Sequence, residues 1–447
     1  MSDIPASVRT VFEEHGVRRC SVSVALSGGL DSVVLLDMVC AMAPVLGLDV
    51  SAVHVDHGLH EQAGQWAAFC RQRCEASGVS LDIARVTVPR DSGLGVEAAA
   101  RQARYAVFGK VSADYIALAH HLDDQVETFM LQLLRGAGAH GLSAMPVQRS
   151  LGATGPLLLR PLLALTRAQL ADYANAQGLK WIEDVSNAEL AYDRNFLRHT
   201  VLPLLEQRFP AYRRTLSRAS RNLADAARLT DILGTQDVEA SRSNGGLALD
   251  SLASWPVSRA LNAVRCLLRE RGCPMPARER LLEALRQAFE ARSDSRVQVD
   301  IDEFSLRRYR RTLHVVRNVT VPEGWQCNWR GEREIALPPG LGSMRFEPAV
   351  GRGLSAQRLQ EQTVHIGFRR GGERMALAGN RPHRDLGKLY QGAGIAPWLR
   401  QRTPLVFGGQ QLAFVPGLGV AAEFQAGPGE QSWHVQWVPV SDTVHSA

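Results

Sequence analysis

The sequence is poor in cysteine, and what it has follows no pattern. Seven cysteines occur in 447 residues. The number is odd, no Cys-x-x-Cys pair is present, and Cys70 and Cys74 stand four apart at helical spacing. Neither a disulfide framework nor a zinc or iron–sulfur site is indicated. A reducing cytoplasm is the expected compartment. No apolar run approaches the roughly 18 residues that cross a bilayer, and Met-Ser-Asp-Ile-Pro at the start has no secretory pattern, so no membrane partner is expected. Lysine is absent from Glu206 to Arg317, where 21 arginines face 14 acids for a net charge of +7, against +6 for the whole chain. Arginine binds phosphate as a fork, so this stretch reads either as solvated helix faces or as a surface for a phosphate backbone.

The stretch that is present and carries most information is Val22 to Leu36. An apolar run ends in Ser27-Gly28-Gly29-Leu30-Asp31-Ser32, and a second apolar run follows at helical spacing. This predicts strand, tight loop, helix. Such a turn aims backbone N–H groups and a positive helix end at one point, which suits phosphate. The glycines allow close approach, Ser27 and Ser32 add hydroxyls, and Asp31 can hold a magnesium ion on the phosphates. The loop lacks the Gly-Lys-Ser/Thr ending of a Walker loop and is not Gly-x-Gly-x-x-Gly.

Apolar runs and helical periods alternate from the start. Helices are expected near 1–19, 31–43, 61–77, 96–111 and 123–134, and strands near 21–26, 48–56, 81–88 and 115–119. This alternation predicts an α/β fold with a doubly wound parallel sheet. Ligands of such sheets sit beyond the carboxyl ends of the strands, which draws 27–32, 54–57 and 120–124 to one edge. A long helix is expected at 203–239, then helices at 258–271 and 277–290, with short strands near 296–301 and 312–316. The expected domains are 1–213, catalytic; 214–318, mainly helical and arginine-rich; 319–362, a linker with weak strands; and 363–440, a small α+β domain.

Three further clusters follow the loop. His54-Val-Asp56-His57-Gly58 ends a strand and borders either an adenine or solvent. Glu97, Arg101 and Arg104 share a helix face, as a salt bridge or as arginines aimed at phosphate. Ala119-His120-His121-Leu-Asp123-Asp124-Gln125-Val-Glu127-Thr128 lies where a strand turns into a helix. Asp123, Asp124 and Glu127 would repel one another there unless a cation is shared or a pKa is raised, so a magnesium ion or a general base is expected.

The Ser-Gly-Gly-x-Asp-Ser loop resembles the pyrophosphate loop (PP-loop) of N-type ATP pyrophosphatases, with their adenine nucleotide α-hydrolase-like fold. Together with His-Val-Asp-His-Gly-Leu, Glu-x-x-x-Arg-x-x-Arg-Tyr, Ala-His-His-x-Asp-Asp-Gln-x-Glu-Thr, Arg135-Gly-x-Gly, Arg160-Pro-Leu-Leu, Glu183-Asp-x-Ser-Asn and Arg194-Asn-x-x-Arg198, the chain is similar to the tRNA(Ile)-lysidine synthetase family. Arg370-Gly-Gly-Glu-Arg374, Lys388-Leu-Tyr-Gln391 and Pro397-Trp398-x-x-Gln-Arg402 resemble that family's C-terminal domain. Asp56, His60, Gly387 and Gly392 depart from its usual pattern.

The resemblance implies a ligase that joins free L-lysine to C2 of the wobble cytidine of tRNA(Ile) with a CAU anticodon, using ATP and Mg²⁺. It implies ATP contacts from Ala25, Ser27, Gly28, Gly29, Leu30, Asp31, Ser32 and His54. Catalytic roles fall to Asp31, His120, Asp123, Asp124 and Glu127, with Asp31 and Asp123 on the metal and Asp124 and Glu127 on lysine or its proton. It places tRNA at Arg101, Arg104, Arg135, Arg194, Arg198, Arg370, Arg374, Lys388 and Arg402. A homodimer is left open. The rival readings are a PP-loop tRNA thiolase, against which the missing Cys-x-x-Cys counts, and a non-catalytic RNA-binding protein, against which the acidic set counts.

Overall fold

A computed structural model describes residues 4–58, 62–88, 95–152, 154–183, 192–292, 295 and 297–440. The chain divides into two compact units, one ending at Leu233 and the other beginning at Gly234. In the first, helices and strands alternate as expected: α1 (Ile4–Glu14), β1 (Ser21–Ala25), α2 (Leu30–Leu46), β2 (Asp49–Asp56), α3 (Ala63–Ala76), β3 (Ser80–Arg85), α4 (Val96–Phe108), β4 (Tyr115–Ala117) and α5 (Leu122–Leu134). The short α6 (Ala139–Leu142), β5 (Gln148–Ser150), β6 (Leu157–Leu159) and α7 (Arg167–Ala176) follow.

The strands form one sheet in the order β3-β2-β1-β4-β6-β5. All pairs are parallel except β5 with β6. Val22 of β1 lies between Val50 of β2 and Tyr115 of β4. The chain therefore winds outward from β1 to β3 and returns to β4 on the other side of β1. The carboxyl ends of β1 and β4 flank the resulting crevice, and the two most polar motifs leave from those ends. Helix α2 is apolar almost all round, so Val33, Val34, Leu35, Leu36 and Val39 are wholly buried. It closes on Gly47 in the left-handed conformation, φ +67°.

The long helix expected at 203–239 is two. After α8 (Asp193–Phe196) a π turn at Leu197–Val201 leads into α9 (Leu202–Arg208), and α10 (Tyr212–Ser241) starts afresh. Pro210 is the cause: the residue before a proline is forced out of the helical region, and Phe209 sits at φ −130°, ψ 74°.

In the second unit, helices Val257–Glu270 and Arg278–Glu290 pack on a five-stranded antiparallel sheet. Beside the expected strands (observed at Gln298–Ile301 and Thr312–Arg317), it holds Phe304–Tyr309, which the sequence reading missed. Residues 319–362, expected as a linker with weak strands, do hold strands, and these pair with the rest of the unit. Strand Gln326–Asn328 pairs with Val364–Gly367, and Ser343–Val350 pairs along its length with Gln431–Val438. Met344 and Phe346 are buried in one core with Ile366, Leu405 and Val415, while Arg345 and Glu347 face solvent. That two-residue alternation was in the sequence, but Pro348 and the surrounding glycines obscured it. Among the described residues no helix is long and apolar enough to cross a membrane.

Leu35→Ala is expected to lower unfolding stability by about 2–5 kcal/mol, and Val45→Ala, at a 72% exposed position of the same helix, to change it by less than about 0.5 kcal/mol. Urea unfolding followed by circular dichroism checks both.

Candidate active site

The loop after β1 is tied from within. Ser32 Oγ donates to the Gly29 carbonyl at 2.9 Å and lies 3.1 Å from Ser27 Oγ, and the Ser27 N–H donates to Ser32 Oγ at 3.2 Å. Gly28 has φ +88°, and a Cβ there would meet Ile182 Cδ1 at 3.0 Å and Cys70 Sγ at 3.3 Å. Its carbonyl accepts the Ile182 N–H at 2.9 Å. Gly29 caps α2 without a side-chain bond, so the first N–H groups of Leu30, Asp31 and Ser32 have no side-chain cap. Asp31 projects from that first turn, and its Oδ1 is buried with no hydrogen-bond partner among the described residues.

His54 does not present its Nδ1 to a ligand. That nitrogen donates to the Leu26 carbonyl at 2.8 Å, one residue beyond the end of β1 at Ala25, with Cys70 Sγ 3.5 Å away. The imidazole therefore props the strand end from which the loop departs. Burial pushes the Cys70 thiol up to about 12 and the Cys74 thiol up to about 11, so neither is a thiolate at neutral pH.

Helix α5 brings its acids to the same edge. His121 is its N-cap, and the His121 N–H donates to Asp124 Oδ2 at 3.0 Å. The buried imidazole of His121 stands among three carboxylates: Asp31 at 3.6 Å, Asp124 at 3.5 Å and Asp123 at 3.6 Å. Burial pulls His121 toward neutrality, but those three acids outweigh it and hold its pKa above the usual histidine value. Burial likewise disfavours the Asp124 carboxylate, and the neighbouring His121 with its N–H, together with Arg194, outweighs it, so the carboxyl sits below its ordinary value. His120 goes the other way: burial first, then nearby Arg160, Arg194 and Arg101, outweigh Asp124 and push it down to about 3.

The cations that balance the acidic cluster are the protein's own. Glu127 is fully buried. It accepts from Arg198 Nε at 2.6 Å and Nη2 at 2.9 Å, and lies 3.0 Å from Arg194 Nε. Arg198 also reaches within 3.5 Å of Asp124, and Arg194 donates to Thr128 Oγ1 at 3.2 Å. Asp123 accepts from Arg213 Nε at 2.6 Å and from the Arg167 N–H at 2.9 Å. The geometry bears on three of the expectations. Glu127 is engaged on both oxygens by Arg198 and Arg194, Asp123 already accepts one protein donor on each oxygen, and Arg194 and Arg198 turn toward Glu127.

Asp31 does fit a cation, because its orphaned oxygen lacks a donor. Among the described residues no group of three His, Cys, Asp or Glu could hold a metal unaided, so magnesium there would depend on phosphate oxygens for its remaining ligands.

The other expected contact residues are placed as follows. The Arg101 guanidinium lies over the Tyr105 ring at 5.1 Å, joined there by Arg149 at 5.5 Å. Arg104 acts on His57, whose pKa is lowered first by burial and then by that guanidinium. Arg135 lies 3.9 Å from Asp193 on the surface. In the second unit Arg370 donates to Gln326 at 3.2 Å, Arg374 to the His383 carbonyl at 2.9 Å and Arg402 to the Arg317 carbonyl at 3.0 Å. The Lys388 N–H is capped by Asp385 at 3.3 Å. The Glu97 side chain, His60 and the 184–187 turn lie outside the described residues.

Known proteins show the same arrangement of parts. Family models match as a PP-loop domain over 2–205, a TilS substrate binding domain over 247–314 and a TilS substrate C-terminal domain over 364–437. A tRNA(Ile)-lysidine synthase from Nitrosomonas europaea is 41% identical over 94% of this chain and 92% of its own length. The chain belongs to the tRNA(Ile)-lysidine synthase family. Others from Alkalilimnicola ehrlichii and Azoarcus sp. are 42% and 40% identical, over 91% and 93% of this chain and 91% of each relative.

Against that family background, the residues the sequence reading missed are supports. Arg213 sits on α10, far along the chain from the Asp123 it holds. Gln125 exchanges two bonds with the backbone of Met145, at 2.7 and 2.8 Å. Arg160 is buried and donates to the Pro146 carbonyl at 2.8 Å. Gln125 and Arg160 stood inside quoted motifs, whereas nothing local marked Arg213.

Glu127→Ala is expected to cost on the order of 3 kcal/mol in a denaturant titration, because it leaves two arginines facing a buried void. His120 binds its proton near pH 3 when folded and near 6.5 when unfolded, so the unfolded state takes up the proton first as pH falls. Its contribution to stability is therefore lost between about pH 6.5 and 3. Melting temperatures of His120→Gln should fall less steeply with acid across that window than those of the unmodified chain.

Proposed function

We propose that this chain is an ATP-dependent ligase that attaches free L-lysine to C2 of the wobble cytidine of tRNA(Ile) bearing a CAU anticodon. Membership of the family supports the activity and the tRNA. The observation that carries the site is the unpartnered Asp31 Oδ1 at the Ser27–Ser32 loop, facing the same edge as His121 and Asp124.

In the first step the C2 carbonyl oxygen attacks the α-phosphorus of ATP and pyrophosphate leaves. In the second the lysine ε-amine attacks C2 and AMP leaves. The uncapped N–H groups of α2, with Gly28 and Gly29 giving close access, bind the phosphates. Asp31 would hold magnesium, whose charge makes the phosphorus more open to a weak carbonyl nucleophile. The His121 imidazole, whose pKa the neighbouring acids raise, stands within 3.6 Å of both Asp31 and Asp124. Asp124, held ionised, is the carboxylate that receives the lysine ammonium before the amine sheds its proton. Glu127 acts through Arg194 and Arg198, which it positions beside Asp124. Asp123 acts through Arg213 and the start of α7, fixing the entry of α5.

Residues 1–213 carry this chemistry in the proposal, and the arginine-rich 214–318 with 363–440 grip the tRNA. The seven unpaired cysteines suit a cytoplasmic setting. The thiolase reading is not favoured, since Cys70 and Cys74 are protonated and inward.

Incubation with ATP, Mg²⁺, labelled lysine and the CAU tRNA(Ile) should give ATP-dependent incorporation. Asp31→Ala should abolish it, and Arg198→Ala should reduce kcat by roughly 10²-fold or more, as for loss of a well-placed charge beside the reacting groups. No incorporation by the unmodified chain would refute the activity.

A further inference from the structure

Two backbone carbonyls of the loop after β1 are held by donors from distant parts of the first unit. Leu26 accepts from His54 Nδ1 of β2 at 2.8 Å, and Gly28 accepts from the Ile182 N–H, beyond α7, at 2.9 Å. Across a trans peptide a carbonyl and the next N–H point in opposite directions, and among the described residues no peptide is cis. Each bond therefore turns one N–H away from its donor. The two N–H groups so turned are those of Ser27 and Gly29, and both face the paired loop hydroxyls. Ser27 N lies 3.2 Å from Ser32 Oγ, Gly29 N lies 3.4 Å from Ser27 Oγ, and the two hydroxyls are 3.1 Å apart. N–H groups and hydroxyls converging on one side of a loop are the donors that a phosphate chain takes up.

The Ile182 bond holds a peptide that is otherwise free to turn over. It lies between two glycines, with Gly28 at φ +88° and Gly29 at φ −73°. Inversion would swing Gly29 through half a turn into the positive-φ region, which glycine accepts as readily as the negative one. Sterics thus leave both orientations open, and polar contacts decide between them. In the inverted form a carbonyl oxygen would face the phosphates in place of an N–H. In the observed form the carbonyl lies on the Ile182 side, where a Cβ on Gly28 would meet Ile182 Cδ1 at 3.0 Å, Cys70 Sγ at 3.3 Å and Phe69 Cδ1 at 3.4 Å. Without the Ile182 N–H that carbonyl would be unpaired among apolar groups, which is costly.

The donor is itself placed by burial. Leu179 and Trp181 pack against the core of the first unit. The chain leaves α7 through Gly178 at φ +61°, and the Leu179 N–H returns to the Ala174 carbonyl at 2.9 Å. Ile182 therefore reaches the loop as a fixed point, although some 150 residues separate it from Gly28.

We propose that Ile182, through its backbone N–H, and His54, through Nδ1, are positioning residues for the phosphate chain of ATP, and that the Ile182 bond selects the orientation of the Gly28–Gly29 peptide in which the N–H faces the phosphates. Both act on the loop and not on the reacting atoms. The assignment rests on the phosphate reading of the loop given above.

The test uses the full chain with Ile182 replaced by its α-hydroxy acid, which exchanges the N–H for an ester oxygen and keeps the side chain. Binding of pyrophosphate, ATP and adenosine, each with Mg²⁺, is measured by calorimetry. Pyrophosphate and ATP should each bind about fivefold more weakly, the net worth of one backbone hydrogen bond, while adenosine binding stays unchanged. In the lysine-incorporation assay KM for ATP should rise by the same factor, with KM for lysine and for tRNA unchanged. Ile182→Ala keeps the N–H and removes the packing, so it should lower the melting temperature and leave pyrophosphate affinity unchanged. His54→Leu should weaken pyrophosphate binding about fivefold, and His54→Asn, whose side-chain amide can donate to the Leu26 carbonyl, should recover it. Unchanged pyrophosphate affinity in the ester chain, an equal loss of adenosine binding, or a loss in Ile182→Ala that matches the ester would each overturn the assignment alone. An unmodified chain that binds adenosine as tightly as ATP, and pyrophosphate not at all, would overturn the phosphate reading and the assignment with it.

Discussion

A fully buried carboxylate, Glu127, sits in the second turn of α5, and the candidate site depends on how its charge is met. An unpaired ion there would be too costly to keep. The chain meets it with Arg198 as a two-pronged partner and Arg194 as a second. Both arginines come from the short helix and π turn that follow a long excursion from α5. A π turn is an uncommon shape, and here it lies at the segment whose side chains must reach Glu127. The acid thus organises the far side of the site without touching the reacting groups in the proposed chemistry.

The same logic runs through the rest of the cluster. Four acids and one imidazole crowd one edge of the sheet. Each acid meets different partners: Glu127 two arginines, Asp123 Arg213 and the start of α7, and Asp124 the His121 N–H and imidazole. Of the four, Asp31 keeps a buried oxygen without a donor, the observation on which the proposed cation role rests. The opposite pKa shifts of His120, lowered, and His121, raised, show how strongly placement decides. The two are adjacent in sequence, yet arginines surround one and carboxylates the other.

The sheet topology makes this possible. Because β1 lies between β2 and β4, the phosphate-type loop and the α5 acids leave from neighbouring strand ends although about 90 residues separate them. His54, on the other flank, braces the Leu26 carbonyl and so fixes the loop's point of departure. In the second unit, antiparallel pairing does comparable work over long separations, as the pairing of Ser343–Val350 with Gln431–Val438 shows.

Much of this was legible in the residues. Alternating apolar and helical periods specify the α/β half, since periodicity is a local property that each segment carries alone. Ser27–Ser32 and His120–Thr128 announce charge and phosphate chemistry because their residue types are unfavourable without it. Pro210 was present to be read as a helix breaker, and the Met344–Glu347 alternation as a strand. What only the tertiary structure decided is which acid meets which cation. The pairings of Glu127 with Arg198, Asp123 with Arg213, and Trp398 with Tyr309 join residues some 70 to 90 positions apart. No short-range pattern encodes such meetings. They follow from where the chain returns after folding, and that return is set by burial and strand pairing summed over the whole unit.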